Sequence, residues 1–284
     1  VAQLPQLVPR QVANAYTIFN IATAIVVLPF LPLAAKIVMR ILPHKEEVPQ
    51  QRFRTKFLDN SLLSTPSLAL SLAKAEVLHM GELARNMVNS IIKPFLERDS
   101  QVLAEIDGME EEVNFLEEKI SDFVAKISRL SVAQDQIDEA FQIMYSVAEF
   151  EQIADIVSKN LYPRAKEWLG DHRQFSKAGR KEIVEFHART IKQIDRAINT
   201  FKDSDLKQAA KMKRKYKKHR SMEDSLRRTH YERLRSDIPE TVQTSEYHQD
   251  LMEQFRRIAA HATNIARILL EWSEENNKTV NANQ

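Results

Sequence analysis

An uncharged stretch near the start of the chain constrains its fold more than any other feature. Residues 11–35 read QVANAYTIFNIATAIVVLPFLPLAA and hold no Asp, Glu, Lys or Arg, although 28% of the whole chain is charged. As a helix at about 1.5 Å per residue, this stretch would reach roughly 37 Å, enough to cross a hydrocarbon core of about 30 Å. We therefore predict a membrane-spanning helix. The alternative is a secretory signal peptide, which the long apolar part and the positions of Pro29 and Pro32 disfavour.

Three polar residues in this stretch, Asn14, Thr17 and Asn20, recur at spacings of three and so share one helical stripe. In lipid, such groups must face protein or water, which implies neighbouring helices that this chain does not supply. The stripe either lines a transport pathway or forms hydrogen bonds between helices.

The charges that flank the stretch predict its orientation. Only Arg10 precedes it, whereas six cations follow: Lys36, Arg40, Lys45, Arg52, Arg54 and Lys56. The positive-inside rule therefore places the C-terminal side, and most of the chain, in the cytoplasm. Lys36 and Arg40 lead into a basic, exposed connector, which we place at residues 43–63.

The rest of the chain has the pattern of an all-α protein. With four glycines and no cysteine, the sequence excludes Gly-rich phosphate loops, a disulfide scaffold and thiolate metal sites. From Ser64 onward the apolar residues recur at the helical period of 3.6. This pattern predicts six long helices at about 65–93, 99–129, 131–169, 176–202, 205–235 and 245–275, with Asp203 or Ser204 as the cap of the fifth.

An internal repeat divides these helices into two units. PFLERDSQVLAEI at 94–106 matches TFKDSDLKQAAKM at 200–212, and FEQIADIVSKN at 150–160 matches FRRIAAHATNI at 255–265. The offsets are 106 and 105 residues. We therefore predict two three-helix bundles, at about 64–170 and 176–276, each too small to bury its faces well alone. Residues 277–284 are predicted to be a disordered tail.

Several segments resemble one family of membrane proteins. RQVANAYTIFN resembles the last membrane segment of the bacterial sodium/phosphate cotransporter family. FLDNSLLSTPSLALSLAKAEVLHMGELARNMV resembles the junction that follows it in members with a cytoplasmic PhoU-like domain. THYERLRS and RRIAAHATNIARIL resemble the second half of that domain.

The resemblance implies sodium-coupled phosphate uptake, with sodium as the coupling ion, by a complete protein of the inner membrane. Residues 1–42 would be the last transmembrane segment and 64–276 the PhoU-like domain, which would sense phosphate or gate the transporter. The family builds its substrate site from paired Gln-Ser-Ser motifs, and this sequence contains none. We therefore expect a missing upstream transmembrane domain as the partner of this chain, and Asn14, Thr17 and Asn20 as candidates to line its phosphate and sodium pathway.

The resemblance also implies a metal site in the first repeat. Glu151 and Asp155 project from one helical face and match the Glu-x-x-x-Asp pattern with which PhoU proteins hold iron or zinc. Glu110 lies on the preceding helix and is a third candidate ligand. Carboxylate pairs suit hard cations, and the alternative is a solvated acidic face. In the second repeat the pair is replaced by Arg256 and Ala260, so no metal is expected there.

The two repeats also differ in charge. Residues 105–118 hold seven acidic groups and no Lys or Arg, whereas residues 207–220 hold eight Lys or Arg and no acid. The predicted basic patch consists of Lys211, Lys213, Arg214, Lys215, Lys217, Lys218 and Arg220. It could face anionic lipid, pair with the acidic run of another copy in a homodimer or with another domain, or be a solvated face. Nucleic acid is disfavoured, because only Tyr216 interrupts the run with an aromatic ring.

No catalytic motif is recognisable, and the sequence predicts no enzyme. It has no Ser-His-Asp or Cys-His arrangement and no HExxH spacing. The competing interpretation is a soluble, metal-binding PhoU-type regulator of phosphate uptake, with residues 1–42 as a fusion remnant.

Overall fold

The computed structural model describes residues 4–30, 53–130 and 133–282, and the side chains of 12–30, 53–130 and 133–272. Within these ranges the chain is helical apart from short connections and has no strand, which confirms the all-α prediction. Residues up to Arg52 and residues from Phe53 onward form two separate units.

In the first unit, helix α1 spans Leu4–Val27 and ends in a 3₁₀ turn, Leu28–Phe30. Pro29 explains the change, because it has no N–H to donate to the α-helical ladder. Val12–Phe30 is long and apolar enough to cross a membrane, and none of its residues is buried. The rest of the predicted membrane segment and the connector up to residue 52 lie outside the described residues.

The second unit contains six long helices, as predicted. They are α2 (Pro66–Ser90), α4 (Val102–Ser128), α5 (Gln134–Asp155), α7 (Lys177–Asp203), α8 (Leu206–Arg235) and α9 (Pro239–Ala282). It also contains two short helices, α3 (Lys93–Glu97) and α6 (Tyr162–Leu169), and a 3₁₀ turn, Asn60–Leu62. A π-helical segment, Ile156–Leu161, joins α5 to α6.

The helix ends correct two sequence predictions. Asp205 caps α8 by accepting bonds from the backbone of Lys207 and Gln208, whereas Ser204 takes a left-handed conformation with φ of 50°. Helix α9 begins at Pro239 instead of about residue 245, because proline is well suited to a first turn, where no N–H is needed. It continues through Ala282 into the predicted tail, which has neither Gly nor Pro to end it.

The two repeats bury corresponding positions. In α2 and α7 the buried residues recur at an offset of 106, and the same holds for α4 and α8. The buried pairs include Ala73/Gly179, Glu76/Glu182, Met80/Phe186, Ile106/Met212 and Val113/His219. The apolar members of both repeats join in one continuous core. Helices α2 and α7 pack against each other between the repeats, as do α5 and α9.

The chemistry of these shared positions differs between the repeats. Helix α4 buries only apolar side chains. After its first two turns, α8 instead buries His219, Glu223, His230 and Arg233. The second repeat therefore has the backbone of the first but a polar core along α8.

Candidate functional site

The predicted carboxylate pair lies where the α-helical part of α5 ends. Burial raises the pKa of Glu151 above its usual value, and the charge of Asp155 raises it further. The π segment begins directly after this pair. Such segments occur often at functional sites, although Pro163 offers a local cause, because it cannot donate to the carbonyl of Lys159.

A lysine from the π segment supplies a cation to the pair. The Nζ of Lys159 is 2.5 Å from Oδ2 of Asp155. This hydrogen bond raises the pKa of Lys159, and the charges of Glu151 and Glu110 raise it further. The structure therefore brings all three predicted ligands within electrostatic reach of one ammonium group.

The donor set fits an open metal site better than a closed one. Among the described residues, no three His, Cys, Asp or Glu side chains converge closely enough to enclose an ion. One or two carboxylates completed by water are a common arrangement for Mg²⁺. Because the side chain of Lys159 is 65% exposed, a hard cation could displace it from Asp155 without disturbing the core.

The corresponding position in the second repeat is occupied by ion pairs. Arg256, which replaces Glu151, contacts the carboxylates of Glu253 and Glu223. Arg227 also binds Glu223, with Nη2 2.8 Å from Oε1. Two arginines thus neutralise two glutamates here.

A buried glutamate in the first repeat binds the end of the connector. Glu76 on α2 is fully buried, and its two oxygens accept hydrogen bonds from the backbone N–H groups of Lys56, Phe57 and Leu58 at 3.1, 2.7 and 3.2 Å. A buried carboxylate needs such partners, because an unpaired one is strongly disfavoured. Glu76 therefore fixes the chain that leads from the apolar segment onto the helical unit.

The matching glutamate in the second repeat has entirely different partners. Both oxygens of Glu182 accept from Arg233 at 2.6 Å, and one also lies 3.1 Å from Nε2 of His248. Burial would raise the pKa of Glu182, but His248 and Arg233 outweigh it and lower the pKa. His248 stacks on His230 with ring centroids 4.5 Å apart. Burial lowers the pKa of His230 to about 4.

The predicted basic patch lies on the first half of α8. Its seven side chains, Lys211, Lys213, Arg214, Lys215, Lys217, Lys218 and Arg220, are all exposed. We call this surface the basic face. None of the seven forms an ion pair with another described residue, although many other cations of the unit do.

The polar residues of α1 share one exposed stripe, as their spacing predicts. The hydroxyl of Thr17 donates to the carbonyl of Ala13 at 2.9 Å and is satisfied within its own helix. Asn14 and Asn20 make no hydrogen bond through their side chains with another described residue. The two asparagines are therefore the members of the stripe that keep side-chain donors for other groups.

Sequence reasoning missed both buried glutamates and treated the histidines as scattered. His261 proves to bind Glu149, with Nδ1 2.8 Å from the carboxylate, across the interface of the repeats. The repeat itself held the missing signal, since Glu76 and Glu182 are 106 residues apart on apolar helix faces. The partners of Glu76 lie 18–20 residues away in sequence and those of Glu182 lie 51 and 66 residues away, so neither set left a local pattern.

The duplicated geometry agrees with a known family. The sequence profile of the PhoU domain matches residues 77–160 and 183–269. The chain belongs to the PhoU domain family. The two matched stretches begin 106 residues apart, which is the offset of the buried positions, so each repeat carries one PhoU match.

Curated relatives of this PhoU-domain chain are bacterial proteins described as "Putative inorganic phosphate export protein YjbB". The one from Escherichia coli K12 is 25% identical over 260 residues, and the one from Salmonella typhimurium LT2 is 24% identical. These matches include 92% of the chain but 48% of each relative. The chain thus spans about half the length of the curated relatives it matches.

Solved structures share the fold of the PhoU domain. PhoU from Pseudomonas aeruginosa superposes with a TM-score of 0.66 at 21% identity, covering 72% of this chain and 97% of that one. The phosphate transport system regulatory protein PhoU from Streptococcus pneumoniae gives 0.61 at 16% identity, covering 72% and 95%. At these identities the likeness establishes the fold alone.

Proposed function

We propose that this chain is the C-terminal part of a sodium-dependent inorganic phosphate symporter, and that its PhoU domain regulates transport from the cytoplasmic side of the cell membrane. The description of the curated relatives supports a role in phosphate transport. Their greater length leaves room for the membrane domain that would carry the substrate site. The exposed, apolar Val12–Phe30 helix supports membrane attachment.

The direction of transport follows from gradients in this proposal. The family resemblance implies uptake, whereas the name of the relatives refers to export. A symporter is reversible, and the combined electrochemical gradients of sodium and phosphate set the direction of net flux.

Sodium coupling is tested with the complete protein in proteoliposomes. We expect flux of labelled phosphate to follow an imposed sodium gradient in either direction and to stop when choline replaces sodium. Undiminished flux in choline would show that the protein moves phosphate without sodium.

The single observation that carries the regulatory part is the bond between Glu76 and the connector. Residues 56–58 follow the apolar segment in sequence and are fixed to the first repeat by three bonds to one buried carboxylate. Any rearrangement of α2 that moves Glu76 must either move the connector with it or break these hydrogen bonds. We propose that this linkage transmits the state of the PhoU domain to the membrane part.

Glu76→Gln in the complete protein tests the linkage. The amide has one acceptor oxygen and turns an N–H₂ group toward backbone donors, so we expect the connector to detach from α2. Phosphate transport should then respond less to phosphate supply, with unchanged substrate selectivity. A variant lacking residues 60–284 should show the same loss of regulation.

Glu182→Gln is the matched control. It alters the corresponding buried glutamate but leaves the connector bonds in place. Wild-type regulation in the Glu76 variant, or equal loss in both variants, would refute the linkage.

The second candidate function is a soluble, metal-binding PhoU-type regulator. The solved PhoU proteins favour it, because this chain covers almost their entire length. Membrane fractionation separates the two functions. A pellet that resists carbonate extraction supports the symporter, and a soluble pool supports the regulator.

In either case we propose that Glu151 and Asp155, with Glu110 nearby, bind a divalent or ferric ion when Lys159 moves away. The ion would neutralise the paired carboxylates in place of the ammonium group. Support comes from the geometry of the pair: the two carboxylates lie one helical turn apart, and the Lys159 ammonium group that binds Asp155 is largely exposed and free to leave. Burial, and then the charge of Asp155, raise the pKa of Glu151, so a cation nearby would stabilise its charged form.

A further inference from the structure

The basic face is a charged surface of the described residues that the proposed regulation does not use. It places seven cations on ten consecutive residues of α8, all exposed and none paired with a described carboxylate. Five of the seven are lysines, which act as flexible point charges and favour diffuse arrays of phosphate over one planar carboxylate. This composition suits a surface that carries many phosphates.

The first repeat shows that the fold does not require these charges. Helix α4 occupies the matching place, buries the matching positions and carries seven acidic residues with no Lys or Arg at 105–118. Two copies of one architecture therefore tolerate opposite charge. The packing of α8 therefore does not account for its basicity.

The geometry of α8 leaves its outer side open along its whole length. Its buried residues recur at spacings of three, four or seven positions and form one narrow seam: Ala209, Met212, His219, Glu223, His230 and Arg233. At 100° per residue, Arg214, Lys217 and Ser221 lie on the side opposite this seam. A flat surface could contact these residues without meeting α7 or α9 first.

We propose that the basic face docks on anionic phospholipid headgroups. Charge complementarity argues for this occupant, since cations at an anionic bilayer surface each strengthen binding by about fivefold at low salt. The same chain carries a helix able to cross a membrane, which would keep the lipid surface near. Only this tether rests on the proposed function; the attraction itself needs no transport activity.

The test uses the absence of cysteine, which allows one fluorophore to be placed on the full chain. Ser221→Cys puts the label on the outer side of α8 and keeps every charge. The protein is reconstituted in phosphatidylcholine vesicles whose headgroups carry an energy-transfer acceptor, with or without phosphatidylglycerol. If the chain does not insert, it is mixed with the same vesicles. We expect energy transfer to rise at least twofold with phosphatidylglycerol and to fall again at high salt.

Two controls make the experiment specific. Asn114→Cys places the label on the exposed acidic helix α4, where transfer should not depend on phosphatidylglycerol. The increase in energy transfer from the label at position 221 should disappear in a triple variant of the basic face, Arg214→Gln, Lys217→Gln and Lys218→Gln. It should persist in a triple variant of α7: Lys181→Gln, Lys192→Gln and Lys202→Gln. Circular dichroism verifies that each triple variant is folded.

Two results would overturn the proposal. One is energy transfer from the label at position 221 that does not change when phosphatidylglycerol is added. The other is a signal that depends on protein concentration instead of lipid charge, which would assign the basic face to the acidic run of a second copy. Neither result bears on sodium-coupled transport, so the two proposals fail independently.

Discussion

At the scale of single residues, buried histidines make the stability of the second repeat depend on pH. His219 lies in the core, with Nε2 3.2 Å from the hydroxyl of Thr190 and its ring 4.2 Å from Phe186. Burial disfavours the charged imidazole and lowers the pKa of His219 to about 4. In the unfolded chain the pKa of this histidine is near 6.5, its ordinary value, so the unfolded chain binds the proton much earlier during acidification.

We therefore expect the free energy of unfolding to fall by up to about 1.4 kcal/mol per pH unit for this histidine between pH 6.5 and about 4. The stabilisation is complete above the unfolded pKa and is lost as the pH falls toward the folded one. His219→Val copies Val113 of the first repeat and should shrink the difference in stability between pH 7 and pH 5 by about 2 kcal/mol. Urea unfolding at both pH values measures it, with His172→Gln on the exposed loop as control. An unchanged difference would contradict the buried, neutral state of His219.

Lys159 decides whether the carboxylate pair is available to a metal. Lys159→Gln removes the ammonium group from Asp155 and leaves the negative charge of Glu151 and Asp155 without its present counterion. We expect the affinity for Zn²⁺ or Mn²⁺ to rise about tenfold, whereas Glu151→Gln should lower it. Titration calorimetry measures both. Equal affinity in all three proteins would mean that the pair is a solvated acidic face.

At the scale of helices, close approach explains where the chain uses glycine. Gly81 on α2 faces Phe150 on α5, and a Cβ atom there would lie 2.8 Å from the buried ring. Gly108 on α4 has no atom within 4 Å of such a Cβ. Both glycines lie inside helices without positive φ, so packing alone distinguishes them.

Alanine substitutions should therefore have opposite effects. Gly81→Ala should destabilise the protein by about 1–3 kcal/mol, because the core must shift to admit the methyl group. Gly108→Ala should stabilise it by about 0.5–1 kcal/mol through helix propensity. Thermal unfolding of the two variants measures the contrast. A stable Gly81 variant would show that α2 and α5 can separate without loss.

At the scale of the whole helical unit, one core joins the repeats. Trp168 lies at this junction: its Nε1 donates to the carbonyl of Phe95 at 3.1 Å, and its ring stacks on Phe175 at 4.3 Å. Tyr247 of the second repeat packs edge-on against the same ring at 5.1 Å. Because the core is continuous, neither repeat can lose its packing without exposing the other.

We expect the helical unit to unfold in a single transition. Trp168→Ala should lower the free energy of unfolding by about 3–5 kcal/mol, and Trp168→Phe by clearly less, because it keeps a ring at the junction. In Trp168→Phe, the fluorescence of Trp272 on α9 should change together with circular dichroism. Two separated transitions would show that the repeats fold independently.

Much of this architecture was predictable because its causes are local. Helical periodicity and the apolar span of α1 are properties of neighbouring residues, and the duplication at about 106 residues follows from comparing two segments of the sequence. The structure agrees with each. The cap of α8 was misassigned by one or two residues, because Asp203, Ser204 and Asp205 all have capping side chains and only the backbone conformation distinguishes them.

The sequence by itself determined the helices, their repetition and the opposite charges of α4 and α8, since these depend on residue type and spacing alone. Only the tertiary structure decided that Glu76 holds the connector while Glu182 binds Arg233, and that Lys159 faces the carboxylate pair. The physical reason is that a buried charge must find its partner in three dimensions. Two equivalent glutamates therefore have different partners, according to which segment of the chain packs against them.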